Sequence, residues 1–548
     1  MKNKIERKKR AFEIRNLAAE YATTDHTPDP LNNGDESKFS SDNYFANYSK
    51  GLPHNSDGEV DVFAYETLKT AVLTGNSETF NKIPLGTPGL GSNGLRGRFL
   101  TNPQAGWAFD LEGPDGQSLT IPPPPTFESA EVAAEMVELY WMALARDVYF
   151  EDYDTNPIIA NAVNDLNNMT DYRGQGSSAG SIDYKNIFRG FTSGDLKGPY
   201  LSQFLLKDIP YGTLCISQKQ KTARTGVDYI TDFKTWLRVQ NGENTGIDYN
   251  PCNNENHGGA FEVRRQYIRN LRDLATYVHY DALYEAYLNA CLILLGMNAP
   301  LDSGNPYSYY DCSNPYHIQT LGSMSTNICN VNYHTPNQMG FGTFGGPHIL
   351  SLVTEVATRA LKAVWHQKWN VNRRLRPEAY GGRVHLKKTG SSVASKFNIH
   401  DDLLNSQALV ETHNKFGSYL LPQAFAEGSP THPAYGAGHA TVAGACTTIL
   451  KAWFDESHAI PDPQIASSNG LNLLSYSGKL TVGDELNKVA ANVSIGRNAG
   501  GVHYWSDYKE SLLLGEQIAI SILKEQKLCY NEEHYFSLTK FDGNTIMI

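Results

Sequence analysis

Three segments in the last third of the 548-residue chain concentrate side chains that can do chemistry. The first runs from Trp365 to Pro377 and contains Lys368, Arg373, Arg374 and Arg376. The second runs from His432 to Ala440 and contains Gly436, Ala437, Gly438 and His439. The third runs from Ser494 to Asp507 and contains Arg497, His503 and Asp507. Lys368 falls at the end of a predicted helix and Arg376 just past it, which puts two positive charges around one anion. Gly436 and Gly438 precede a helix predicted to start near His439, so backbone N–H groups are offered at the positive end of a helix dipole. Arg497 adds a planar fork that grips two oxygens. His503 and Asp507 are four residues apart, on one face of a predicted helix. A carboxylate there holds the far N–H of the imidazole, fixes its tautomer and strengthens the other nitrogen as a ligand or nucleophile. The sum is three cations, backbone amides and an oriented histidine. That set suits a tetrahedral or bipyramidal oxyanion, and a phosphoryl group and vanadate both fit it.

The elements that must position these residues read as helices. Leu350, Val353, Ala357, Ala360, Leu361 and Val364 form one apolar stripe ending near Trp369. Others cover 440–454, begin near Glu485, and run over 503–524. Farther upstream, Val132, Met136, Leu139, Tyr140, Ala143 and Leu144 recur at helical spacing, and 259–297 reads as a long helix or a broken pair. Strand signals are few and short. The expected fold is therefore all-α: helical bundles, with a C-terminal four-helix bundle holding the anion site. Residues 1–60 are expected as an extended N-terminal arm, being rich from 24 onward in Asp, Asn, Ser, Gly and Pro. Residues 61–345 are expected as an N-terminal helical region with long loops, and 346–548 as the catalytic bundle. The stretch 298–347 is too long and aperiodic for a simple turn, and is expected to cover a site or line an interface. A structural calcium or other ion is a candidate within 300–345, at no position the sequence fixes. The arm and the long loops point to intersubunit wrapping in a homo-oligomer.

Composition narrows the partners. Hydrophobic residues make up 40% and charged residues 19%, as in an ordinary soluble globular chain. A net charge of -11 argues against nucleic acid or an anionic membrane, so any anion must be drawn by a local basic cluster. The strongest apolar run, Ala290 to Met297, is far shorter than the roughly 18–20 residues a membrane span needs. The basic N-terminus lacks a following apolar segment, so no secretory signal is expected. Seven cysteines show neither CxxC nor zinc-like spacing; Cys291 and Cys446 read as buried thiols, and Cys312 and Cys329 flank a loop as a candidate pair.

The order Lys-x7-Arg-Pro, Gly-His, Arg-x5-His-x3-Asp resembles the signature shared by vanadium haloperoxidases and the type 2 phosphatidic acid phosphatase superfamily. Trp365, three residues before Lys368, and His432, seven before His439, fall where haloperoxidases carry halide-pocket residues. The text around His439 and from Ser494 to Gly515 looks like bromoperoxidases of the red-algal and cyanobacterial type. The resemblance implies vanadate as cofactor, bonded through His503. Lys368, Arg376, Arg497 and the Gly438 amide would neutralise its oxygens, and His439 would meet the axial oxygen. His432 would tune the halide side and assist proton transfer, Lys368 would polarise the bound peroxide, and Asp507 would orient His503. The implied reactants are hydrogen peroxide, a halide (bromide being the expected one) and a small organic substrate.

One position departs from that pattern: Ala437 stands where many members carry Ser, and a lost hydrogen bond to a charged oxygen is worth about 1.5–3 kcal/mol. Two other readings stay open at this level. In a soluble acid phosphatase the same site would form a phosphohistidine at His503, although Trp365 and His432 favour halide chemistry. In a non-catalytic anion-binding scaffold the cations would be retained without turnover. Outside this set, His279 and His366 are expected to be packed or hydrogen-bonded, and His257, His317 and His334 to sit in polar loops; none of the five is expected as a ligand.

Overall fold

A computed structural model of the chain describes residues 3–24, 29–175, 181–245, 260–308 and 338–548. The helices that matter for the site are α1 (Lys4–Thr24), α2 (Ala130–Leu144), α3 (Leu271–Tyr280), α4 (Glu285–Gly296), α5 (Gly346–His366), α6 (Pro377–Lys388), α7 (Gly438–Lys451), α8 (Val482–Ala499) and α9 (Trp505–Lys527). Sheet among the described residues is confined to three two-stranded antiparallel hairpins, with Ile209–Tyr211 on Leu214–Ile216, Gln464–Ala466 on Leu473–Ser475, and Ser537–Thr539 on Thr545–Met547. The all-α expectation holds.

The C-terminal bundle is built around α7, which packs against α5, α8 and α9. Its sequence is small and apolar on every side, so it can be surrounded; apart from His439, all of its residues are buried. Its hydroxyls turn inward on the backbone: Thr441 Oγ1 donates to the Ala437 carbonyl and Thr447 Oγ1 to that of Ala443, which removes the penalty of burying them. Two glycines set how closely α7 and α9 approach. A Cβ on Gly444 would fall 2.0 Å from the Leu512 carbonyl oxygen, and one on Gly515 would fall 2.1 Å from that of Thr441. One apolar core runs from Phe39 through α2 and α3 into the bundle and on to Phe541, so it is continuous across residue 346. The stretch 259–297 resolves as the broken pair, α3 and α4.

The arm differs from expectation. Residues 4–24 form helix α1 rather than extended chain, because Lys, Arg, Glu, Ala and Leu dominate them and all favour helix. From Phe39 to Leu52 the polar stretch is interrupted by Phe39, Tyr44, Phe45, Tyr48 and Leu52, all buried. This part is not a surface wrap. It lies against the catalytic half, with the Tyr48 N–H donating to the Arg373 carbonyl at 2.8 Å and the Tyr48 ring edge-on to Trp369. Averaged composition hid those aromatics.

The Cys312–Cys329 pair, His317, His334, most of the 298–347 loop and His257 lie outside the described residues. Among the described residues no group of three or more His, Cys, Asp or Glu forms a cation site, and no helix is long and apolar enough to cross a membrane. Cys291 and Cys446 are fully buried thiols, as expected.

Candidate active site

The three segments converge at the end of the bundle where α5 finishes and α7 and α9 begin. The last turn of α5 widens: residues 367–372 form a π turn in which the Arg373 N–H donates to the Lys368 carbonyl. The turn stops at Arg373, a non-glycine residue at φ 42°. That conformation is held by two bonds from Arg373 to Glu36 and two to the carbonyls of Trp369 and Asn370. The chain then runs extended through Arg374 and Arg376 into α6, whose first residue is Pro377, as suits a helix start.

Lys368 is fully buried, and its Nζ donates to the carbonyls of Pro433 and Ala434 at 2.9 and 3.1 Å. Arg376 donates to the carbonyls of His432 and Val502, to His503 Nε2 at 3.1 Å and to His432 Nδ1 at 2.9 Å. Arg497, at the end of α8, donates to the Val278 carbonyl, and its buried Nε has no partner among the described residues. None of these three cations makes an ion pair with a carboxylate among the described residues. Burial, reinforced by the neighbouring arginines, pushes the Lys368 ammonium well below its ordinary value. Burial brings Arg376 down to about 10 and lowers Arg497 as well.

His503 does not lie on a helix, contrary to the sequence expectation. Gly500 and Gly501 break the chain after α8, Gly501 taking φ 82°, and α9 starts only at Trp505. The pairing with Asp507 survives by another route. Asp507 sits in the first turn of α9, where its Oδ2 accepts from His503 Nδ1 at 2.8 Å and from the Tyr504 N–H at 3.1 Å. A carboxylate can only accept, so Nδ1 carries the hydrogen and Nε2 keeps its lone pair. Burial and then the charges of Arg376, Lys368 and Arg497 hold His503 well below its ordinary pKa, so it stays neutral.

The half-exposed side of the site is formed by Trp365, His432 and His439. The rings of Trp365 and His432 lie 4.9 Å apart, and the Lys368 ammonium stands 5.6 Å from the Trp365 ring centre. Arg376 donates to His432 Nδ1, which leaves its Nε2 as the N–H. Burial together with Lys368 and Arg376 keeps this imidazole neutral. His439 Nε2 donates to Asp281 Oδ1 at 3.0 Å. Gly438 opens α7, and a Cβ there would come within 3.3 Å of the Trp365 ring. Ala437 occupies the N-cap position without a capping side chain; its own N–H donates to Ser511 Oγ at 2.7 Å.

Several site residues escaped the sequence reading. Arg374 donates to Asp507 Oδ1 and Glu135 Oε2, each at 2.7 Å, and Glu135 Oε1 accepts the Ser506 N–H. A signal for Arg374 was present: it alternates with Arg376 in an extended, pre-proline segment, so both face one side. Asp281, Glu135 and Ser511 carried none, since their contacts are tertiary. His279 stacks on Phe425 and bonds Glu427, and His366 bonds the Gly106 carbonyl, so both are engaged elsewhere.

Comparison with known proteins follows the same outline. Residues 349–532 match the family model described as the VCPO second helical-bundle domain. The vanadium-dependent bromoperoxidase of Corallina officinalis is 38% identical over 99% of this chain and 98% of its own length. That of Ascophyllum nodosum is 34% identical over 92% of this chain and 86% of its own. In three dimensions the chain superposes with a TM-score of 0.85 and 27% identity on the homohexameric second vanadate-dependent bromoperoxidase of Ascophyllum nodosum, covering 100% of this chain and 91% of that one. By end-to-end identity at this level, the chain belongs to the vanadium-dependent bromoperoxidase family.

Proposed function

We propose that the chain is a haloperoxidase that uses hydrogen peroxide and a bound vanadate to oxidise bromide, yielding hypobromous acid or its equivalent and brominating small organic substrates. The observation that carries this reading is the trio Lys368, Arg376 and Arg497, buried around His503 with no carboxylate ion-paired to any of them, and one Nε left without a partner, among the described residues. Buried unpaired cations are destabilising unless an anion completes them, and a trivalent oxyanion suits this donor set.

His503 Nε2, which carries no hydrogen of its own and accepts from Arg376, would be the metal-binding atom. Lys368, Arg376, Arg497 and the Gly438 N–H would hold the vanadate oxygens. Vanadate in this cradle supplies a Lewis acid that activates peroxide without changing oxidation state. Asp507 and, behind it, Arg374 keep the imidazole of His503 in its tautomer and orientation. His439 is the base: its Nε2 is committed to Asp281, so Nδ1 takes up a peroxide proton. Lys368 Nζ, which donates to the Pro433 and Ala434 carbonyls, would also donate to an oxygen of the bound group. His432 presents Nε2–H, and Trp365 its ring, to the halide. The homohexameric relative supports a homo-oligomer for this chain too.

Bromination of an activated diketone by metal-stripped protein tests the proposal. Activity that requires added orthovanadate and falls with excess phosphate is expected. Absence of bromination, with vanadate-inhibited hydrolysis of a phosphate ester instead, would move the chain to phosphohistidine chemistry at His503.

A further inference from the structure

Lys50, in the segment that sequence composition assigned to an arm, is buried at the edge of the active site. Its Nζ meets both oxygens of Glu378, at 2.9 and 3.0 Å, and donates to the carbonyls of Glu427 and Ser429 at 2.8 and 2.6 Å. Glu378 stands two residues after Arg376, at the start of α6. Its carboxylate also accepts from Gln240 Nε2 at 2.6 Å and from the Ser429 N–H. Gly428, between the two carbonyls, has φ 64°, and a Cβ there would fall 1.8 Å from Glu378 Oε2, so the loop lies directly on the carboxylate. Three residues beyond Ser429 comes His432, whose Nδ1 accepts from Arg376 and whose ring packs on Trp365. The far side of the same loop is strapped by Thr431, bonded to Phe99 and Thr101, and Trp365 Nε1 donates to the Thr101 carbonyl.

We propose that Lys50 is a positioning residue for the halide side of the site: it clamps the 427–432 loop onto Glu378 and so sets His432 against Arg376 and Trp365. An ammonium suits this task because its donors radiate tetrahedrally and can serve a carboxylate and two carbonyls at once, which no apolar side chain of that length does. The halide consequence rests on the function proposed above; the clamping itself does not.

Two readouts on Lys50→Met separate the two. In the vanadate-free protein, amide hydrogen exchange across 427–432 is expected to rise by about tenfold or more, with α7 unchanged. In the vanadate-loaded enzyme, the KM for bromide is expected to rise by about tenfold while vanadate retention and kcat change by less than about threefold. Should the single variant fail to fold, Lys50→Met/Glu378→Met replaces the buried pair by apolar groups and takes the same two measurements. Unchanged exchange in 427–432 of a folded variant overturns the proposal. A parallel loss of vanadate retention and melting temperature, with bromide KM unchanged, also overturns it, since that is a merely structural role. Raised exchange with an unchanged bromide KM in both Lys50→Met and His432→Ala would instead retire the halide role of His432 and leave the clamp standing.

Discussion

Arg146 and Arg272 share the carboxylate of Asp228, and Arg272 also takes Asp147, whereas Lys368, Arg376 and Arg497 bond to backbone carbonyls. Both groups are buried, but only the first has carboxylate partners among the described residues. In the first, carboxylate partners offset the burial of Arg272, whose pKa rises above the ordinary value, while burial still lowers that of Arg146 despite Asp228. In the second, carbonyl dipoles satisfy hydrogen bonds without cancelling charge, and all three cations are pushed down. The first group is a finished structural unit. On the function proposed above, an anion completes the second, and a local basic cluster of this kind is what a chain of net charge -11 needs to draw one.

The largest expected effect is on activity. His503→Ala removes the nitrogen proposed to bind the metal, and vanadate-dependent bromination should fall by more than about a thousandfold, beyond the 10²–10³ typical of losing one oxyanion donor. Retained turnover in that variant would place the reacting centre elsewhere. Next comes stability, where the two groups should respond in opposite directions. Asp228→Asn strands Arg146 and should cost about 3–5 kcal/mol in urea unfolding. Lys368→Met should leave the vanadate-free protein as stable as the parent, or up to about 2 kcal/mol more so. A loss as large as that of Asp228→Asn would erase the distinction.

Glu138 is a third solution to buried charge. This carboxyl on α2 accepts from the Tyr172 hydroxyl, and its Oε2 has no partner among the described residues. Burial raises its pKa from 4.5 to about 8, so it keeps its proton rather than acquiring a cation. Between those values the folded chain binds one proton more than the unfolded chain, so stability falls as pH rises through that window. Glu138→Gln should remove this loss, and its melting temperature should match the parent near pH 5 and exceed it by several degrees above about pH 8, a gap of about 2–5 kcal/mol. Parallel curves for the two proteins would show that Glu138 is ionised in place.

The smallest effect is at Ala437. A serine there can cap α7 or donate to the anion, so Ala437→Ser should gain about 0.5–1 kcal/mol of stability with bromination equal or higher. A large loss of activity would contradict the picture of a missing donor.

Much of this was legible from the three motifs and the family resemblance they carry. Lys368, Arg376, Gly438, His439, Arg497 and His503 come together as the three motifs implied, because each lies within a few residues of a strongly periodic helix. What failed, failed locally: the Gly500–Gly501 break moved His503 off α9, and aromatics scattered through 39–52 turned an expected arm into core. The partners of the site, Asp281, Glu135, Ser511 and Lys50, were not legible at all. Each meets the site across a tertiary contact between chain-distant segments, and no local periodicity encodes such a contact.

Titration of orthovanadate into the metal-stripped protein and into Arg497→Met, followed calorimetrically, shows whether the buried cations hold the anion. If the uncompensated cations are the anion site, the parent binds one vanadate per chain and the variant binds at least about a hundredfold more weakly, a difference of about 3 kcal/mol. Equal affinity in the two would show that the buried cations are not what holds the anion.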